Sequence, residues 1–445
     1  MKIKQFEDKP LAHYSYAIVS GNDIALVDPA RDPMPYYAFA EKNNARITAI
    51  FETHPHADFV SSHLQIHKET GATIYTSSLV GADYPHKAFD HGDSFTMGNV
   101  EFKALHTPGH SPDGITIVAH EGDDYAMFTG DTLFIGDVGR PDLREKAGNM
   151  KAKREELAKM MFNTIQTKFN DLPDETVVYP AHGAGSLCGK NLSDAASSTL
   201  GNERKGNWAF RTKTEDEFVS EILKDQPFIP AYFGFDVGIN KGGADNFESS
   251  ITGIPFYYNR LPEMNNTLIV DTRPEEVFKK GHFKGSINIQ ATNEDDKIET
   301  WLGSIVQPEE PFILVAPSAE QRDKVLRRIA KIGYEKQIKA VLALTDAEGM
   351  YSTAPMPLDK FKSSPEAFTI VDIRNPGEVS STPIFENSLN IPLNELRDRY
   401  REIPEDKPLV VHCAGGYRSA AGSSILEELK DQTVYDLSEA VKEFK

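Results

Sequence analysis

The chain has 445 residues, which is long enough for two to four domains that each bury a core of their own. Its formal net charge of −19 argues against nucleic acid as a partner, because a phosphate backbone would be repelled. No apolar stretch approaches the ~20 residues that cross a membrane, and the start of the chain lacks the apolar core of a signal peptide. Only two cysteines occur, far apart in sequence, so we expect no disulfide framework and a cytoplasmic location.

The first chemical signal along the chain is a cluster of histidine and aspartate. Residues 53–59 read T-H-P-H-A-D-F, a metal-binding pattern, H-x-H-x-D-H, in which Phe59 takes the last position. A carbon ring cannot bind a metal, so Phe59 favours a one-metal enzyme over a two-zinc hydrolase. It does not forbid a second ion, since Asp58, Asp131 and His182 could still hold one weakly. We therefore treat Phe59 as supportive evidence only.

Three more ligand candidates follow in order along the chain. His110 lies in T-P-G-H-S, Asp131 in F-T-G-D-T and His182 in Y-P-A-H-G. One such histidine alone would more often be an ordinary core or surface residue, but the ordered set predicts a metal site, and imidazole with carboxylate suits zinc or iron. Short apolar runs precede the candidates, and we predict that they are strands whose ends present these side chains at one sheet edge. The runs are Ile47–Phe51, Phe102–Leu105, Tyr125–Phe128 and Val177–Tyr179.

The order H-P-H-A-D, P-G-H, G-D-T and P-A-H resembles the metallo-β-lactamase superfamily over roughly residues 1–240, and within it the persulfide dioxygenases. The resemblance implies an αββα sandwich and one Fe(II) per chain, with zinc as the alternative metal. It implies that the iron ligands are His54, His110 and Asp131. Two histidines and a carboxylate on one face of iron leave positions at which O₂ and a substrate sulfur can bind together.

The same resemblance assigns supporting roles to four neighbours of the ligands. His56, Asp58 and His182 are expected to orient ligands and substrate through hydrogen bonds. The segment G-D-V-G-R-P-D-L resembles the substrate-facing loop of that family, so Arg140 is expected to grip the carrier thiol.

Cys188 follows His182 in a glycine-rich segment, G-A-G-S-L-C-G-K. An arbitrary cysteine would more safely be interpreted as a small buried hydrophobe. Its place beside a metal-site histidine leads us instead to the hypothesis that Cys188 holds substrate or accepts a sulfane atom. Unchanged oxygen uptake and product ratio after Cys188→Ser would refute that hypothesis.

The C-terminal part of the chain contains a second chemistry. Residues 409–419 read L-V-V-H-C-A-G-G-Y-R-S and precede a helix-like segment. Backbone N–H groups of the loop, with the helix dipole behind them, favour an anion at Cys413, so we expect a nucleophilic thiolate cradled by Gly415 and Gly416. The loop resembles the rhodanese active site, C-x-x-x-x-R, with Arg418 five positions after the cysteine. Cysteine phosphatases place their arginine six positions after, so the spacing favours sulfur transfer.

An internal repeat precedes this loop. L-I-V-D-T-R-P-E-E-V at Leu268 parallels T-I-V-D-I-R-N-P-G-E-V at Thr369, and S-I-N-I-Q parallels S-L-N-I-P. Alignment of the copies puts Pro317 opposite Cys413 and Arg322 opposite Arg418. The first copy has neither the nucleophile nor the glycines, and proline removes a loop N–H donor. It cannot carry a persulfide at that position, so we expect a structural role for it.

These segments predict an α/β multidomain protein. The predicted domains are a metallo-β-lactamase-like αββα sandwich at 1–240, a rhodanese-like α/β domain without the catalytic cysteine at 241–352, and an active rhodanese domain at 353–445. The boundaries are placed at the glycine-rich I-N-K-G-G-A-D-N near Lys241 and the proline-rich T-A-P-M-P-L near Pro355.

The expected function is bifunctional sulfide detoxification, in likeness to persulfide dioxygenase–rhodanese fusions. A low-molecular-weight thiol persulfide is oxidised with O₂ to sulfite at the N-terminal site. Cys413 takes a sulfane sulfur from a second persulfide and passes it to sulfite, which gives thiosulfate. The fusion makes physical sense because the product of one site is the acceptor at the other.

Two other functions stay open at this point. A thioester hydrolase of the glyoxalase II kind with an appended sulfurtransferase would hold two zinc ions and consume no oxygen. A non-enzymatic sulfur carrier would use the metal structurally, although a structural zinc is normally closed by four protein ligands. The carrier thiol stays undecided between glutathione, coenzyme A and bacillithiol. The oligomeric state is not fixed by the sequence, and a homo-oligomer, dimer or tetramer, agrees with general preferences.

Overall fold

The protein is described by a computed structural model that covers residues 1–144, 153–260, 267–344 and 350–445. It divides into two compact units, Met1–Ser250 with Ala330–Gly333, and Ile251–Ile329 with Tyr334–Lys445. Among the described residues, no helix combines the length and apolar character that crossing a lipid bilayer requires.

The first unit contains two six-stranded sheets. The strands of the first sheet, in spatial order, are β1 (Lys2–Asp8), β2 (His13–Ser20), β3 (Asp23–Val27), β4 (Arg46–Phe51), β5 (Thr73–Thr76) and β6 (Lys87–Ala88). In the second sheet, too, each strand lies beside the next one along the chain. Its strands are β7 (Ser94–Met97), β8 (Val100–His106), β9 (Ile115–Glu121), β10 (Asp124–Gly130), β11 (Val177–Pro180) and β12 (Ser198–Thr199). All four strands predicted before the ligand candidates are therefore confirmed.

Eight helices are described for this part of the chain. They are α1 (Met34–Lys42), α2 (His63–Thr70), α3 (Arg154–Thr167), α4 (Leu200–Gly206), α5 (Trp208–Arg211), α6 (Glu215–Leu223), α7 (Phe233–Gly242) and α8 (Phe247–Thr252). The glycine-rich segment near Lys241, where we placed a domain boundary, forms the end of α7. The helix ends at these glycines: Gly242 is its last residue, and Gly243 follows at φ +82, a conformation that glycine adopts without strain.

Successive side chains of a strand face opposite sides of its sheet, so each sheet contributes to two hydrophobic cores. Tyr16 and Ile18 of β2 face the core between the two sheets, whereas Ala17 faces a second core beneath α1 and α2. In β10, Phe128 faces the inter-sheet core and Met127 faces α3 and α6. Each sheet thus buries both of its faces, and the predicted αββα sandwich is confirmed.

The second unit contains two parallel sheets, one in each copy of the repeat. The elements of the first copy are β13 (Phe256–Tyr258), β14 (Leu268–Asp271), α9 (Glu275–Lys280), β15 (Ser286–Asn288), α10 (Ile298–Ile305), β16 (Phe312–Ala316), α11 (Arg322–Ala330) and β17 (Ile338–Ala343). Those of the second are α12 (Leu358–Ser363), β18 (Thr369–Asp372), α13 (Pro376–Ser381), β19 (Leu389–Asn390), α14 (Leu396–Arg399), β20 (Leu409–His412), α15 (Tyr417–Leu429) and β21 (Val434–Asp436). Their strand orders are β13-β17-β16-β14-β15 and β19-β18-β20-β21.

The same buried polar arrangement stabilises each copy. An aspartate ends β14 in the first copy and β18 in the second, and it pairs with the arginine two residues later at 2.6 Å and 2.7 Å, respectively. An asparagine on the neighbouring strand donates to the backbone carbonyls of both. The residues are Asp271, Arg273 and Asn288 in the first copy, and Asp372, Arg374 and Asn390 in the second. The internal repeat predicted from the sequence is confirmed at the level of hydrogen bonds.

Candidate metal centre and candidate sulfurtransferase loop

The loop after β4 presents His54 with a defined tautomer. The Thr53 hydroxyl donates to Asp28 Oδ2 at 2.8 Å, so it can only accept from His54 Nδ1, which lies 3.1 Å away. The proton of the ring is thereby placed on Nδ1. Within the described residues Nε2 of His54 has no hydrogen-bond partner, and its lone pair faces the site. Asp28 also accepts from the Thr53 backbone N–H, which fixes the loop.

His110 and His182 are oriented by the same kind of contact. Nδ1 of His110 lies 2.9 Å from the Arg140 carbonyl oxygen, and Nδ1 of His182 lies 3.2 Å from that of Ala12. A carbonyl can only accept, so both rings carry a proton on Nδ1 and direct Nε2 to the site. Three histidines on separate loops thus present the same nitrogen.

Asp131, directly after β10, lies between these rings. Its Oδ2 is 3.4 Å from His110 Nε2 and 3.9 Å from His54 Nε2. Ligand atoms of His54, His110 and Asp131 all lie within 4.8 Å of one another, and each residue is buried. A buried carboxylate among nitrogen lone pairs with no protein partner is the donor set that a divalent metal satisfies. The ligand set implied by the sequence resemblance therefore fits a metal ion.

Two further groups of potential ligands overlap this one. His56, Asp131 and His182 form one group, and Asp58, His182 and Cys188 form another. The structure thus brings every predicted metal-site residue of this unit to one place. Asp131 belongs to two of the three groups, so the geometry accommodates one ion at His54, His110 and Asp131 and leaves room for a second at the expense of shared ligands.

Electrostatics distinguishes the histidines. Burial lowers the pKa of His54 and of His110, so both are neutral donors at neutral pH. Burial alone would also lower the pKa of His182, but the carboxylates of Asp58 and Asp131 raise it to about 9. Without a metal, His182 is therefore a cation whose Nε2 lies 3.3 Å from Asp58, which agrees with the expectation that it orients its neighbours.

Cys188 is fully buried and lies next to Asp131. Burial raises the pKa of its thiol, and the Asp58 and Asp131 carboxylates raise it further. The thiol is therefore protonated at neutral pH in the metal-free protein, and thiols are much weaker nucleophiles than thiolates. Its place at the metal centre agrees with the sequence expectation, and its role in sulfur handling stays a hypothesis.

Phe59 fills the position that would otherwise carry another ligand. Its ring is 1% exposed and lies 3.8 Å, centroid to centroid, from His13 and 4.5 Å from His56. His13 begins β2, is itself 1% exposed, and has no hydrogen-bond partner for Nε2 among the described residues. Sequence reasoning missed His13, which approaches the site from a strand far from the histidine motif.

Arg140 does not take the role expected from the sequence. Its guanidinium is 1% exposed and forms a bidentate pair with Asp142 at 2.7 and 2.8 Å. Its remaining N–H groups donate to the carbonyls of Leu187, Phe228 and Pro227. All five donors are thereby directed to protein acceptors. The expected grip on a carrier thiol is corrected to a positioning role, because the carbonyl of Arg140 also holds His110.

We expect Arg140→Lys to reduce the stability of the first unit. Lysine has three donors and cannot form the bidentate pair, so buried acceptors lose their partners, at about 2–4 kcal/mol. Thermal denaturation of the metal-free protein measures the loss, with Arg46→Lys as the control, because the Arg46 side chain is 82% exposed. An unchanged melting temperature together with a raised KM for persulfide would support the original substrate role instead.

Gly139 is required where the loop after Asp131 folds back. A Cβ at this position would collide with the Asp131 carbonyl oxygen and lie 3.0 Å from Cβ of His110. We expect Gly139→Ala to destabilise the first unit by at least about 2 kcal/mol and to lower metal content, because backbone atoms must shift. Gly238→Ala in α7, where no atom lies within 4 Å of an added Cβ, is the control and should be neutral or stabilising. Equal melting temperatures for the two variants would contradict this explanation.

The candidate sulfurtransferase loop joins β20 to α15. Cys413 is 2% exposed, and the Gly416 N–H donates to its sulfur at 3.2 Å. Gly416 has φ +112, and a Cβ there would lie 3.1 Å from the Glu439 backbone nitrogen, so only glycine fits. The loop thus directs a backbone N–H at the sulfur, as the pattern of strand, glycine-containing loop and helix predicted. Gly415, the other predicted cradle residue, is exposed.

Arg418 lies at the start of α15, and Cys413 is among the groups that raise the pKa of its guanidinium. Its two terminal nitrogens each donate to Glu378 at 2.7 Å, and its guanidinium carbon lies 5.6 Å from the centroid of the Trp301 ring. Glu378 belongs to α13, whereas Trp301 belongs to α10 of the first copy. Sequence reasoning missed both, although the repeat itself marks Glu378, since a glutamate precedes the aligned valine in each copy.

The chain resembles known proteins in both units. Residues 8–182 match the metallo-beta-lactamase superfamily, and residues 257–342 and 357–445 match the rhodanese-like domain. Two of the similar curated proteins are a cytoplasmic hydroxyacylglutathione hydrolase of Arabidopsis thaliana and a probable hydroxyacylglutathione hydrolase of Schizosaccharomyces pombe. The first is 31% identical over 49% of this chain and 83% of the relative, and the second is 30% identical over 48% and 88%.

A solved structure extends the similarity beyond the first unit. The crystal structure of a metallo-beta-lactamase from Staphylococcus aureus subsp. aureus COL is 32% identical, with a TM-score of 0.69. The match covers 77% of this chain and 99% of that one, which is more of this chain than its first unit alone provides.

Proposed function

We propose that this chain, which belongs to the metallo-beta-lactamase superfamily and carries two rhodanese-like domains after its first domain, oxidises thiol persulfides at one site and transfers sulfane sulfur at the other. The observation that carries the proposal is the pairing of two sites in one chain. One is a buried two-histidine, one-carboxylate donor set, and the other is a cysteine loop of sulfurtransferase spacing.

The donor set of His54, His110 and Asp131 supports a mononuclear centre. Iron(II) held by these residues would supply the redox chemistry by which O₂ oxidises a sulfane sulfur. The protein contributes orientation, since the carbonyls and hydroxyl behind the rings fix each nitrogen. His182 Nε2 lies 3.3 Å from Asp58 and 3.5 Å from Asp131, so His182 can orient both carboxylates beside the site. The site is buried, so water is largely excluded from a reactive sulfur species.

The first reaction balances without a further reductant. A persulfide RSSH, O₂ and water give the thiol RSH, sulfite and two protons. The terminal sulfur loses four electrons and O₂ gains them. The carrier thiol, whether glutathione, coenzyme A or bacillithiol, is released as RSH, and its own sulfur is not oxidised.

The second reaction uses the loop at Cys413. Its thiolate attacks the terminal sulfur of another persulfide, so that Cys413 becomes a persulfide and RSH leaves. Sulfite then attacks the terminal sulfur of that persulfide, which forms thiosulfate and returns the thiolate. The N–H of Gly416 stabilises the sulfur anion, and Arg418 provides the positive charge that the dianionic acceptor needs.

Hydrolysis of a glutathione thioester is the second candidate. Both curated relatives named above are hydroxyacylglutathione hydrolases, and the overlapping group of His56, Asp131 and His182 could help to hold a second ion. The buried ring of Phe59 counts against it, because it replaces a ligand nitrogen with carbon.

Reconstitution with defined metals separates the two functions. Metal-free protein is loaded anaerobically with iron(II) or with zinc, and each preparation is assayed with glutathione persulfide for O₂ uptake and with a glutathione thioester for hydrolysis. We expect uptake with one iron per chain and negligible hydrolysis with either metal. Two zinc ions per chain with rapid thioester hydrolysis, and no uptake with iron, would replace this proposal with the hydrolase.

A further inference from the structure

The guanidinium of Arg418 forms an ion pair with Glu378. Glu378 accepts from both terminal nitrogens at 2.7 Å, which is the fork geometry that a planar guanidinium offers to an oxyanion. Sulfite and thiosulfate are oxyanions of the same kind. Glu378 takes two of the five N–H donors of Arg418, and these two form the edge that an oxyanion would use if it bound in the same fork geometry.

Glu378 lies at a cavity that also reaches the loop of Cys413. This cavity of about 620 Å³ is lined by Glu378 and by Ala414, the residue that follows the nucleophile. The side chain of Glu378 is 36% exposed, whereas that of Arg418 is 14% exposed. The carboxylate can therefore move into solvent, while the guanidinium stays in the wall of the site.

A residue of the first copy of the repeat, Trp301, packs against Arg418. The face of the guanidinium lies over the Trp301 ring, at 5.6 Å from carbon to centroid, and Trp301 is 9% exposed. A cation over an aromatic face is attracted by the ring quadrupole. The neighbouring Tyr417 donates through its hydroxyl to the Gln290 carbonyl of the same copy at 2.9 Å, which ties the loop to that copy.

From these contacts we propose that Glu378 is a gate on the anion site of Cys413, and that Trp301 is the platform on which Arg418 stays when the gate opens. Glu378 holds Arg418 in the free enzyme and releases it only to an anion that also fits beside the sulfur. The copy that lacks a nucleophile thus supplies a wall of the working site. This inference rests on the sulfurtransferase half of the proposed function and is independent of the metal centre.

Glu378→Gln tests the gate with little structural disturbance. Glu378 also accepts from the Asn375 backbone N–H at the start of α13, a capping contact that glutamine retains. The negative charge is lost together with one of the two acceptor oxygens that face Arg418. The matched control is Glu276→Gln, because Glu276 is the aligned glutamate of the first copy and is exposed.

The first readout is alkylation of Cys413 in the full chain, followed by mass spectrometry. Iodoacetate is an anion and iodoacetamide is neutral, and both lose the same leaving group. We expect Glu378→Gln to raise the ratio of the iodoacetate rate to the iodoacetamide rate by roughly threefold to tenfold, the effect of one partly exposed charge pair. Glu276→Gln should leave the ratio unchanged. An unchanged or lowered ratio in Glu378→Gln overturns the gate.

The second readout is thiosulfate:cyanide sulfurtransferase activity. A gate predicts a lower KM for thiosulfate in Glu378→Gln with kcat within about twofold, whereas a residue that only positions Arg418 would raise KM or lower kcat. Trp301→Leu should raise that KM roughly threefold to tenfold, and Trp301→Phe should raise it less. Equal KM values for the two tryptophan variants and the wild type would refute the platform.

A structure of the unmodified full chain with thiosulfate bound at Cys413 gives a test that no substitution can disturb. We expect Arg418 to contact the anion and Glu378 to have moved away from it. An anion bound at Cys413 while both Arg418–Glu378 hydrogen bonds persist contradicts the gate. Wild-type protein without any sulfurtransferase activity would refute the proposed function instead, whatever the alkylation ratio is.

Discussion

Asp131→Ala is expected to abolish persulfide-dependent oxygen uptake, with a loss greater than about a hundredfold. Asp131 is the only carboxylate in the donor set with His54 and His110, and its Oδ2 faces a ring nitrogen of each. Removal of a ligand should exceed the ~10–100-fold loss that follows from removal of a group that only orients ligands. Metal content by elemental analysis and initial rates of O₂ uptake measure both consequences.

Comparison of His182→Ala with Asp131→Ala distinguishes a one-metal centre from a two-metal centre. In a one-metal centre at His54, His110 and Asp131, His182 only orients its neighbours, so its variant should keep the metal and lose at most ~100-fold in rate. In a two-metal centre His182 is a ligand of the second ion, and the two variants should be equally inactive. Equal losses together with half the wild-type metal content would therefore contradict the one-metal interpretation.

Cys413→Ser is expected to separate the two reactions. Oxygen uptake should continue at the wild-type rate, because the substitution lies in the other unit from the metal centre. Sulfite should accumulate, and thiosulfate formation should fall to its uncatalysed rate, since a serine hydroxyl cannot carry a sulfane sulfur. Chromatography of the products after complete consumption of persulfide measures the sulfite-to-thiosulfate ratio.

The repeat provides a matched control for that substitution. Pro317 occupies the position of Cys413 in the first copy, so Pro317→Ser introduces the same residue at the equivalent place. It should leave both product yields unchanged. Continued catalysed thiosulfate formation by Cys413→Ser would mean that the sulfur passes through another group, with Cys188 as the first residue to examine.

Sequence patterns predicted most of the fold because the patterns are local. Apolar runs that end in glycine or proline turns marked the strands, and the ligand candidates lie just after them, as at Phe128 and Asp131. The two copies of the repeat were recognisable because the paired aspartate and arginine are only two residues apart in the sequence of each copy. The glycine-containing loop between an apolar strand and a helix likewise predicted backbone N–H groups that face Cys413, and the Gly416 N–H donates to its sulfur.

The contacts that sequence patterns missed are formed between distant segments. Asp28 fixes the tautomer of His54 through Thr53, yet it follows a different strand, β3. The sequence interpretation of Arg140 failed because carbonyls of Pro227 and Phe228, far along the chain, occupy its donors. Which acceptors surround a guanidinium depends on tertiary packing, and a motif of a few residues contains no information about it.

The role of the first copy of the repeat was also only partly predictable from its sequence motif. Proline at position 317 predicts that this copy carries no persulfide there. Its structural role was inferred from what the copy lacks, whereas Trp301 indicates a contribution to the neighbouring site. Nothing within the motif of the first copy could reveal that, because Trp301 lies outside the repeated segments.

The most direct test of the central claim is the stoichiometry of oxygen to persulfide. Iron-loaded protein, purified anaerobically, is supplied with a known amount of glutathione persulfide, and total O₂ consumption is measured with the Cys413→Ser variant so that no persulfide is diverted to thiosulfate. The balanced reaction predicts one O₂ consumed and one sulfite formed per persulfide. Persulfide that disappears without oxygen uptake, or a chain that retains no iron, would contradict the assignment of the first domain as a persulfide dioxygenase.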